Sequence, residues 1–443
     1  MSILQRLVNA LQTTFSTAPE LANEQFKVIL RQRKFTAQTL AQSFILALLK
    51  KPRAGSSDIA AMAATLGVNV TPEAVDQRYS HVLQKFFRSL FERMTGIFVE
   101  SDEKLAPLLE RFSQVKLIDS TVLSLPASMA EEFPGCGGTG GANSAAMKLQ
   151  TEMDLRTGGI CCIEVEEGKS PDQATNRLKI PPQENSLSIA DLGYFSVQRL
   201  ALIQQSKAFF VSRLLSGMNI FVDGKSLNVI DYLKSQDKPV VDNVVRLGAQ
   251  HQLECRLIAW RVPEEMAARR RHKLRKHVGK KGRTPSQAAL DACDWNILVT
   301  NLPIDQLSVN EAIVLYRSRW QIELLFKRWK TYCGINLIDG QNDMITMTRM
   351  WARLCGAIIQ QWLVVYCGWT SKKDVPSFSK IAKSISEIIE LLSHSLSTGI
   401  DLATALERFR KKTQHLCRRM KRRGKPSFIE ILRDSTKLEY SLT

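Results

Sequence analysis

The chain has 443 residues and a formal net charge of +18. This length is too great for one simple core and suggests about three domains. Two acid-free basic runs, residues 269–283 and 408–425, account for the whole positive excess, which favours a polyanionic partner over general solubility. Nine scattered cysteines, with no Cys-x-x-Cys pair and no neighbouring His cluster, argue against a disulfide framework and a zinc site.

The first part of the chain, residues 1–108, has helical periodicity and no apolar secretory core at its start. A short helix over 57–66 ends at Gly67, and a second helix begins at Pro72. The second helix is expected to be longer and to carry Gln77, Arg78, His81 and Lys85. The pair is either a DNA-reading helix-turn-helix or an ordinary helical hairpin, within a predicted DNA-binding domain.

Strand patterns begin near Val115 and predict a mixed α/β fold, with a mixed sheet flanked by helices over residues 109–215. The Gly-rich stretch 135–141 lacks the Gly-Lys-Ser/Thr of a phosphate-binding loop, so it predicts a flexible connection and no nucleotide cofactor. The predicted strands cover 115–122, 147–155, 159–165, 188–191 and 208–214, with a helix over 196–207.

Residues 216–294 are predicted to form a β-rich insertion, with short strands separated by turns such as Asp223-Gly224. The first basic run is expected to be a loop inside this insertion. Strand character resumes at Trp295, so residues 295–340 are predicted to complete the core that contains the sheet.

The end of the chain, residues 341–443, is again helical and carries the second basic run. This predicts a C-terminal domain for dimerisation, DNA contact or both. Its most apolar stretch, 354–369, contains Gln360 and Gln361 and is short for a membrane span. We therefore expect a buried helix in a cytoplasmic protein without membrane contact.

Four polar residues share one face of a predicted helix over residues 315–330. Tyr316, Arg319, Glu323 and Lys330 follow one another at spacings of three, four and seven. At about 100° per residue, these spacings place the side chains within a sector of roughly 60°. Arg and Lys neutralise phosphate oxygens, and a carboxylate is a hard ligand for Mg²⁺. The face suits a site that holds phosphate and metal together; a solvated charged face is the alternative.

Phosphoryl transfer with two metal ions needs carboxylates from several segments of a chain. Asp119 lies on the first predicted strand, Asp191 at the end of the fourth and Glu323 on the late helix. Strand ends and a packed helix can converge on one site, so these three acids are the preferred metal ligands. On residue type alone, further acids stay open as ligands: Asp154, Glu164, Glu166, Asp223 and Asp294.

Three motifs together resemble those of the bacterial DDE transposases of the IS-four family. They are Leu-Ile-Asp119-Ser-Thr, Asp191-Leu-Gly-Tyr-Phe, and Tyr316-x-x-Arg319-x-x-x-Glu323 followed by Lys330. The resemblance implies a ribonuclease-H-like catalytic core, interrupted by the β-rich insertion and flanked by helical N- and C-terminal domains. It also implies that Asp119, Asp191 and Glu323 are the catalytic triad and bind Mg²⁺, for which Mn²⁺ can substitute.

The same resemblance assigns DNA contacts to neighbouring side chains. Tyr316 and Arg319 are expected to hold phosphates at the DNA end, and Lys330 to grip the backbone nearby. Trp295 and Trp320 fall where similar hairpin-forming transposases hold a flipped base, a role that aromatic stacking can serve. Both tryptophans are alternatively core aromatics.

The basic runs are predicted to contact phosphates. Since the first run contains no acid, we expect neither burial nor intramolecular salt bridges for it. Residues 418–425 in the second run are either a tail that binds DNA or a solvated segment. The predicted DNA contacts of the first run are Arg269, Arg270, Arg271, Lys273, Arg275, Lys276, Lys280, Lys281 and Arg283.

The resulting hypothesis is a cut-and-paste transposase of an insertion sequence. It binds double-stranded DNA at terminal inverted repeats, pairs two ends as a homodimer, and performs metal-dependent cleavage and strand transfer into target DNA. In the cell it would associate with the nucleoid when bound to DNA. Two alternatives are a ribonuclease-H-like endonuclease without transfer and a non-catalytic DNA-binding regulator derived from a transposase.

Overall fold

The computed structural model divides into two compact units, each built from separated stretches of chain. Unit 1 contains Met1–Leu105, Ser120–Ser170 and Gln321–Lys421, and unit 2 contains Ala106–Asp119, Pro171–Trp320 and Arg422–Thr443. Most of the Gly-rich stretch, Lys281 and the end of the second basic run lie outside the described residues. The domain layout expected from the sequence, with a core in two parts around an insertion and a helical domain at each end, stays a prediction. The structure describes residues 1–136, 144–280, 282–339, 342–370, 375–398, 401–419 and 426–438.

The amino-terminal region is helical, as its periodicity predicts. The expected long second helix after Pro72 is wrong, because the chain forms two helices there. Ser80 has an extended backbone, and its side chain accepts a hydrogen bond from the Leu83 amide, so a new helix begins at His81. The helices are α1 Ile3–Gln12, α2 Ala18–Phe26, α3 Ala37–Lys50, α4 Ser56–Thr65, α5 Pro72–Asp76 and α6 His81–Met94, with a π-helical segment Thr13–Thr17.

The middle of the chain forms the strands. The five strands predicted between residues 115 and 214, and the helix before the last of them, are confirmed to within a few residues. The elements are β1 Val115–Leu125, β2 Ala145–Asp154, β3 Ile160–Glu167, β4 Leu187–Ala190, α7 Val197–Gln205, β5 Phe209–Arg213, β6 Asn219–Val222, β7 Lys225–Asn228, α8 Val229–Ser235, β8 Val240–Leu247, β9 Leu253–Arg261, α9 Glu264–Gly279, α10 Gln287–Asp291 and β10 Trp295–Thr300.

Helices follow to the end of the described chain. The helix predicted around 354–369 is confirmed as part of a longer buried helix, α13. Among the described residues, none of the helices combines the length and the apolar character that crossing a membrane requires. The elements are α11 Val309–Ser318, α12 Trp320–Arg328, a π-helical segment Trp329–Cys333, α13 Asp343–Gly368, α14 Phe378–Thr398, α15 Leu402–Leu416 and α16 Phe428–Arg433.

Unit 2 is organised around a large mixed sheet. Its strands lie in the order β1-β4-β5-β10-β9-β8-β6-β7. β4 pairs in parallel with both β1 and β5, whereas β10 pairs antiparallel with both β5 and β9. The strands of the predicted insertion therefore continue the same sheet through β10. An apolar cluster from β5, β8, β9, β10, α7 and α8 forms its core.

Unit 1 contains most of the helices and the antiparallel hairpin β2–β3. Its centre is α13, which is buried along nearly its whole length and packs against α3 and α6. The large rings of Trp351 and Trp362 are fully buried on this helix. Such extensive burial explains why the segment is so apolar.

The first basic run was predicted to be a loop, and this prediction is wrong because most of it belongs to α9. Glu264 and Glu265 occupy the first turn and basic residues the last, which complements the helix dipole. The Arg, Lys and Ala residues between them have high helix propensity. Pro263 precedes the helix and Gly279 ends it.

Candidate active site

Asp119 and Asp191 are neighbours on the adjacent strands β1 and β4, at the point where β4 ends. β1 and β4 run parallel with Ile118 opposite Ala190. The residue that follows each of these two is an aspartate, Asp119 or Asp191. Asp191 directly follows β4, and its side chain does not cap the 3₁₀ turn that begins there. Parallel strands lie about 5 Å apart. The sequence prediction that these two acids converge is therefore supported by the strand register.

Arg319 lies against both carboxylates. Its Nη1 donates to Asp119 Oδ2 at 3.4 Å, and its Nε is 3.7 Å from Asp191 Oδ1. The Arg319 and Asp119 side chains are only 16% and 17% exposed, whereas Asp191 is 44% exposed. One guanidinium thus bridges two acids on adjacent strands, with Asp191 as the more accessible acid.

Tyr316 adds a neutral donor to this group. Its hydroxyl lies 3.5 Å from Asp191 Oδ1 and can donate to it. Burial raises the pKa of Tyr316 to about 12, against the opposing positive fields of Arg319 and Arg213. The hydroxyl therefore keeps its proton at neutral pH and acts as a hydrogen-bond donor.

Arg213 is a member of this site that the sequence analysis did not select. It is the last residue of β5, the strand next to β4, and its charge acts on Tyr316. The available signal was its position, since it is the second-last residue of the fifth predicted strand, and Asp191 is the last residue of the fourth. A lone arginine at a strand end is too common to single out without the sheet order.

The signature residues do not lie on one continuous helix, so that prediction is wrong. α11 ends at Ser318, and the Arg319 amide bonds to the Tyr316 carbonyl at 3.1 Å in a tighter turn before α12 starts. A π-helical segment, Trp329–Cys333, then contains Lys330. Arg319 is held at this turn, where its side chain reaches the two acids.

Three sets of contacts fix α11, the helix that carries Tyr316. Ser308 and Glu311 form a reciprocal capping box at its first turn. Arg111 donates to Glu311 at 2.7 Å from the segment that precedes β1. On the carboxyl side of the chain, α16 also packs on α11 and buries Ile429 and Leu432. The position of Tyr316 thus depends on distant parts of the sequence within unit 2.

Glu323 and Lys330 belong to unit 1. Glu323 lies on the first turn of α12 and is partly exposed. Lys330 is also partly buried, and burial lowers its pKa. Their predicted roles as a metal ligand and as a backbone contact stay predictions.

The two candidate tryptophans differ sharply in exposure. Trp295 is 5% exposed and belongs to the apolar core of unit 2, with the Arg261 guanidinium 5.1 Å from its ring centre. This packing is that of a core aromatic and does not support a base-holding role. Trp320 is 56% exposed. An exposed indole next to Arg319 is free of such packing and fits stacking on a base better.

Helix α9 has two faces. The inner face contains Ala267, Arg270, Arg271, Leu274 and Val278, which are buried or half-buried. The outer face carries the exposed basic side chains Arg269, Lys273, Arg275, Lys276 and Lys280, and Arg283 is exposed just beyond the helix.

The expectation that the first basic run forms no internal salt bridges is wrong for Arg271. This residue pairs with Glu264 and with Asp294. Arg270 is half-buried and donates to Asn296 Oδ1 at 2.9 Å. The acids lie just outside the run, so the absence of acid within it did not reveal them.

The structure shows where the five acids left open by the sequence lie. Asp294 pairs with Arg271, and Asp223 occupies the turn between β6 and β7 with a φ of 47°. Asp154, Glu164 and Glu166 lie on the β2–β3 hairpin of unit 1.

The side chains around Arg319 include the donors that a divalent metal ion needs, although few of them. In the part of the chain that the structure describes, no group of three or more His, Cys, Asp or Glu is placed to hold one. Asp119 and Asp191 nevertheless supply paired carboxylate oxygens, the donors that Mg²⁺ prefers. A cation already lies between them in the form of the Arg319 guanidinium. The donor pair therefore fits a hard cation.

Comparison with known families identifies the class of this protein. The family model described as "Transposase DDE domain" matches residues 110–358, which include both aspartates and the signature residues. The chain belongs to this family of bacterial DDE transposases, in agreement with its resemblance to the IS-four group. Membership implies an enzyme that cleaves and transfers phosphodiester bonds in DNA.

Individual relatives extend this similarity over almost the whole chain. The transposase for insertion sequence element IS231F of Bacillus thuringiensis subsp. israelensis is 25% identical, over 97% of this chain and 95% of its own. The transposase for IS231E of B. thuringiensis subsp. finitimus is 26% identical, over 75% and 73%. The transposase for IS1151 of Clostridium perfringens is 27% identical, over 71% and 70%.

Proposed function

We propose that this protein is the active transposase of an insertion sequence and that Asp119 and Asp191 form the centre of its catalytic site. The observation that carries the proposal is their register on parallel strands, with one arginine bridging them. Pairing of β4 with both β1 and β5 in parallel, together with the antiparallel β2–β3 hairpin, supports a ribonuclease-H-like core.

Glu323 is the proposed third carboxylate. The support for it is the sequence signature, in which it follows Arg319 by four residues, and the family match over this stretch. The three acids would hold Mg²⁺, or Mn²⁺ in its place. When bound, the metal supplies Lewis acidity and activates an attacking oxygen at neutral pH.

The other side chains of the site act on the DNA. The protonated Tyr316 hydroxyl can donate to a phosphate oxygen, and Arg319 can form charge-assisted bonds to the same backbone. Lys330 would add a further cation. Their common effect is to hold the scissile phosphate beside the carboxylates, which favours in-line attack by positioning.

The proposed reaction proceeds in four steps on DNA. The protein would bind the terminal inverted repeats, pair two ends as a homodimer, cleave through hairpin ends and transfer the strands into target DNA. Incubation of the full chain with end-containing DNA, target plasmid and Mg²⁺ tests this. Joined end–target products are the expected result. Cleavage without joining would favour a nuclease, and binding without cleavage would favour a DNA-binding regulator.

We propose that the outer face of α9 contacts DNA phosphates. A double Lys273→Ala/Lys276→Ala variant is expected to weaken DNA binding and to lower the salt slope of log K by about two. The measurement is fluorescence anisotropy with duplex DNA at several salt concentrations. The matched control is Lys207→Ala/Lys225→Ala, which removes two exposed lysines of the same unit away from α9. If the salt dependence of DNA binding is the same in both variants, α9 does not contact the DNA.

The exposure of the tryptophans gives a separate expectation. Trp320→Ala should slow hairpin formation by about 5- to 150-fold relative to the first nick, because a lost aromatic stack costs roughly 1–3 kcal/mol. Trp295→Ala should instead destabilise the fold by about 3–5 kcal/mol. Gel analysis of nicked and hairpin products, together with urea denaturation, separates these effects. A stable Trp295→Ala protein with a selective hairpin defect would restore Trp295 to the base-holding role.

A further inference from the structure

Arg319 bonds to the groups that would have to receive a metal ion. Its guanidinium lies 3.4 Å from Asp119 Oδ2 and 3.7 Å from Asp191 Oδ1. Because the Arg319 side chain is mostly buried, its charge is poorly screened by water. In this arrangement the arginine already neutralises part of the negative charge of the pair.

A divalent ion and a guanidinium compete for such oxygens. When one of these cations is bound, the carboxylates attract the other less strongly, because their negative charge is already partly neutralised. An arginine also prefers a bidentate anionic partner, and a DNA phosphate offers one. Phosphate arriving beside the site could therefore draw the guanidinium away from the aspartates.

We infer that Arg319 acts as an internal counter-ion that keeps the carboxylate pair low in metal affinity until a DNA phosphate takes over its guanidinium. This inference rests on the proposed function, since it assigns Asp119 and Asp191 to metal binding. It gives Arg319 two alternative partners, the acids in the free protein and the phosphate in the complex. DNA binding and metal binding then strengthen each other, because coupling between two ligands is reciprocal.

The arrangement has a functional consequence. A nuclease site loaded with metal in the absence of its DNA end could cut other phosphodiesters. Coupling metal affinity to phosphate contact confines the loaded state to the DNA complex. Tyr316 contacts Asp191 through its hydroxyl and brings no positive charge to the pair.

Metal binding to the full-length protein tests the inference without measuring activity. Mn²⁺ is the probe, and its free concentration is followed by electron paramagnetic resonance. Without DNA, Arg319→Ala and Arg319→Gln should bind Mn²⁺ about tenfold more tightly than the wild type, within the range that neighbouring residues exert on metal sites. Arg246→Ala is the control, because it removes an exposed arginine of β8 that pairs with Glu254 of β9, strands that lie beyond β5 and β10 from β4 in the sheet.

A second arm adds short duplex DNA carrying the element's end, with the Mn²⁺ bound by the duplex alone subtracted. The wild type should gain Mn²⁺ affinity with DNA, and the Arg319 variants should gain much less. Equal Mn²⁺ affinity of wild type and folded Arg319 variants would overturn the inference while leaving the metal site intact. No Mn²⁺ binding by any protein, with or without DNA, would overturn the proposed function itself. Circular dichroism of each variant verifies folding.

Discussion

Replacing Asp119 with Asn is expected to slow DNA cleavage by about three orders of magnitude or more while DNA binding stays close to wild type. The substitution keeps the side-chain shape but removes one negative charge from the carboxylate pair. A hard divalent ion then loses an anionic ligand, and metal-dependent chemistry loses most of its rate. The basic surfaces that attract DNA are unchanged, so binding should persist.

The measurement is a single-turnover cleavage assay with Mg²⁺ on end-containing DNA, paired with a gel-shift titration. Asp223→Asn is a matched control of equal charge and shape. Asp223 lies in a turn with a φ of 47°, a conformation that Asn tolerates well. If Asp119→Asn cleaves DNA at a near-normal rate, Asp119 is not a metal ligand. If both variants lose the same fraction of cleavage activity, the loss reflects a general effect of charge.

The sheet could largely be predicted from the sequence because its local signals agree with the fold. The residues at Val115, Phe209 and Trp295 begin runs of apolar and β-branched side chains, and strands form there. Asp191 was predicted at a strand end, and it directly follows β4. The sheet order was not predictable, because the pairing of β10 between β5 and β9 joins residues far apart in sequence.

The errors arose where one residue or one partner changes a local pattern. Ser80 caps a new helix inside a stretch that otherwise has helical periodicity. The tight turn at Arg319 interrupts the signature helix although no Gly or Pro is present there. In α9, residues of high helix propensity form a helix despite the high density of like charge. Arg271 forms its salt bridges with acids that lie outside the basic run.

In the candidate site, too, some features could be predicted from local sequence and others depend on distant contacts. Strand positions, helical spacing and the resemblance to the transposase motifs together selected Asp119, Asp191, Tyr316 and Arg319, which the structure brings together in unit 2. The direction in which Arg319 points was not contained in that spacing. It depends on the turn after α11 and on the pairing of β1 with β4, and it places the cation on the acids rather than in solvent.

Replacing Arg353 with Ala is expected to destabilise unit 1 by about 3–5 kcal/mol, because among the described residues it leaves the mostly buried Asp339 carboxylate with only the longer contact to Arg349. Arg353 is fully buried on α13. It donates to Asp339 Oδ1 at 2.8 Å and Oδ2 at 2.5 Å, and its Nε donates to the Pro52 carbonyl at 2.9 Å. The side chain thereby joins α13 both to the turn after α3 and to the chain that follows Lys330.

Chemical denaturation of the full chain, followed by tryptophan fluorescence, measures this loss, since Trp351 and Trp362 report on α13. Lys50→Ala is the control within the same unit. Lys50 pairs with Glu390 at 3.0 Å in an exposed position, where a salt bridge contributes about 1 kcal/mol or less. Equal destabilisation by the two variants would show that the buried pair does not hold α13 in place. A large loss confined to Arg353→Ala would tie the segment after Lys330, and with it the helix that carries Glu323, to the central helix of unit 1.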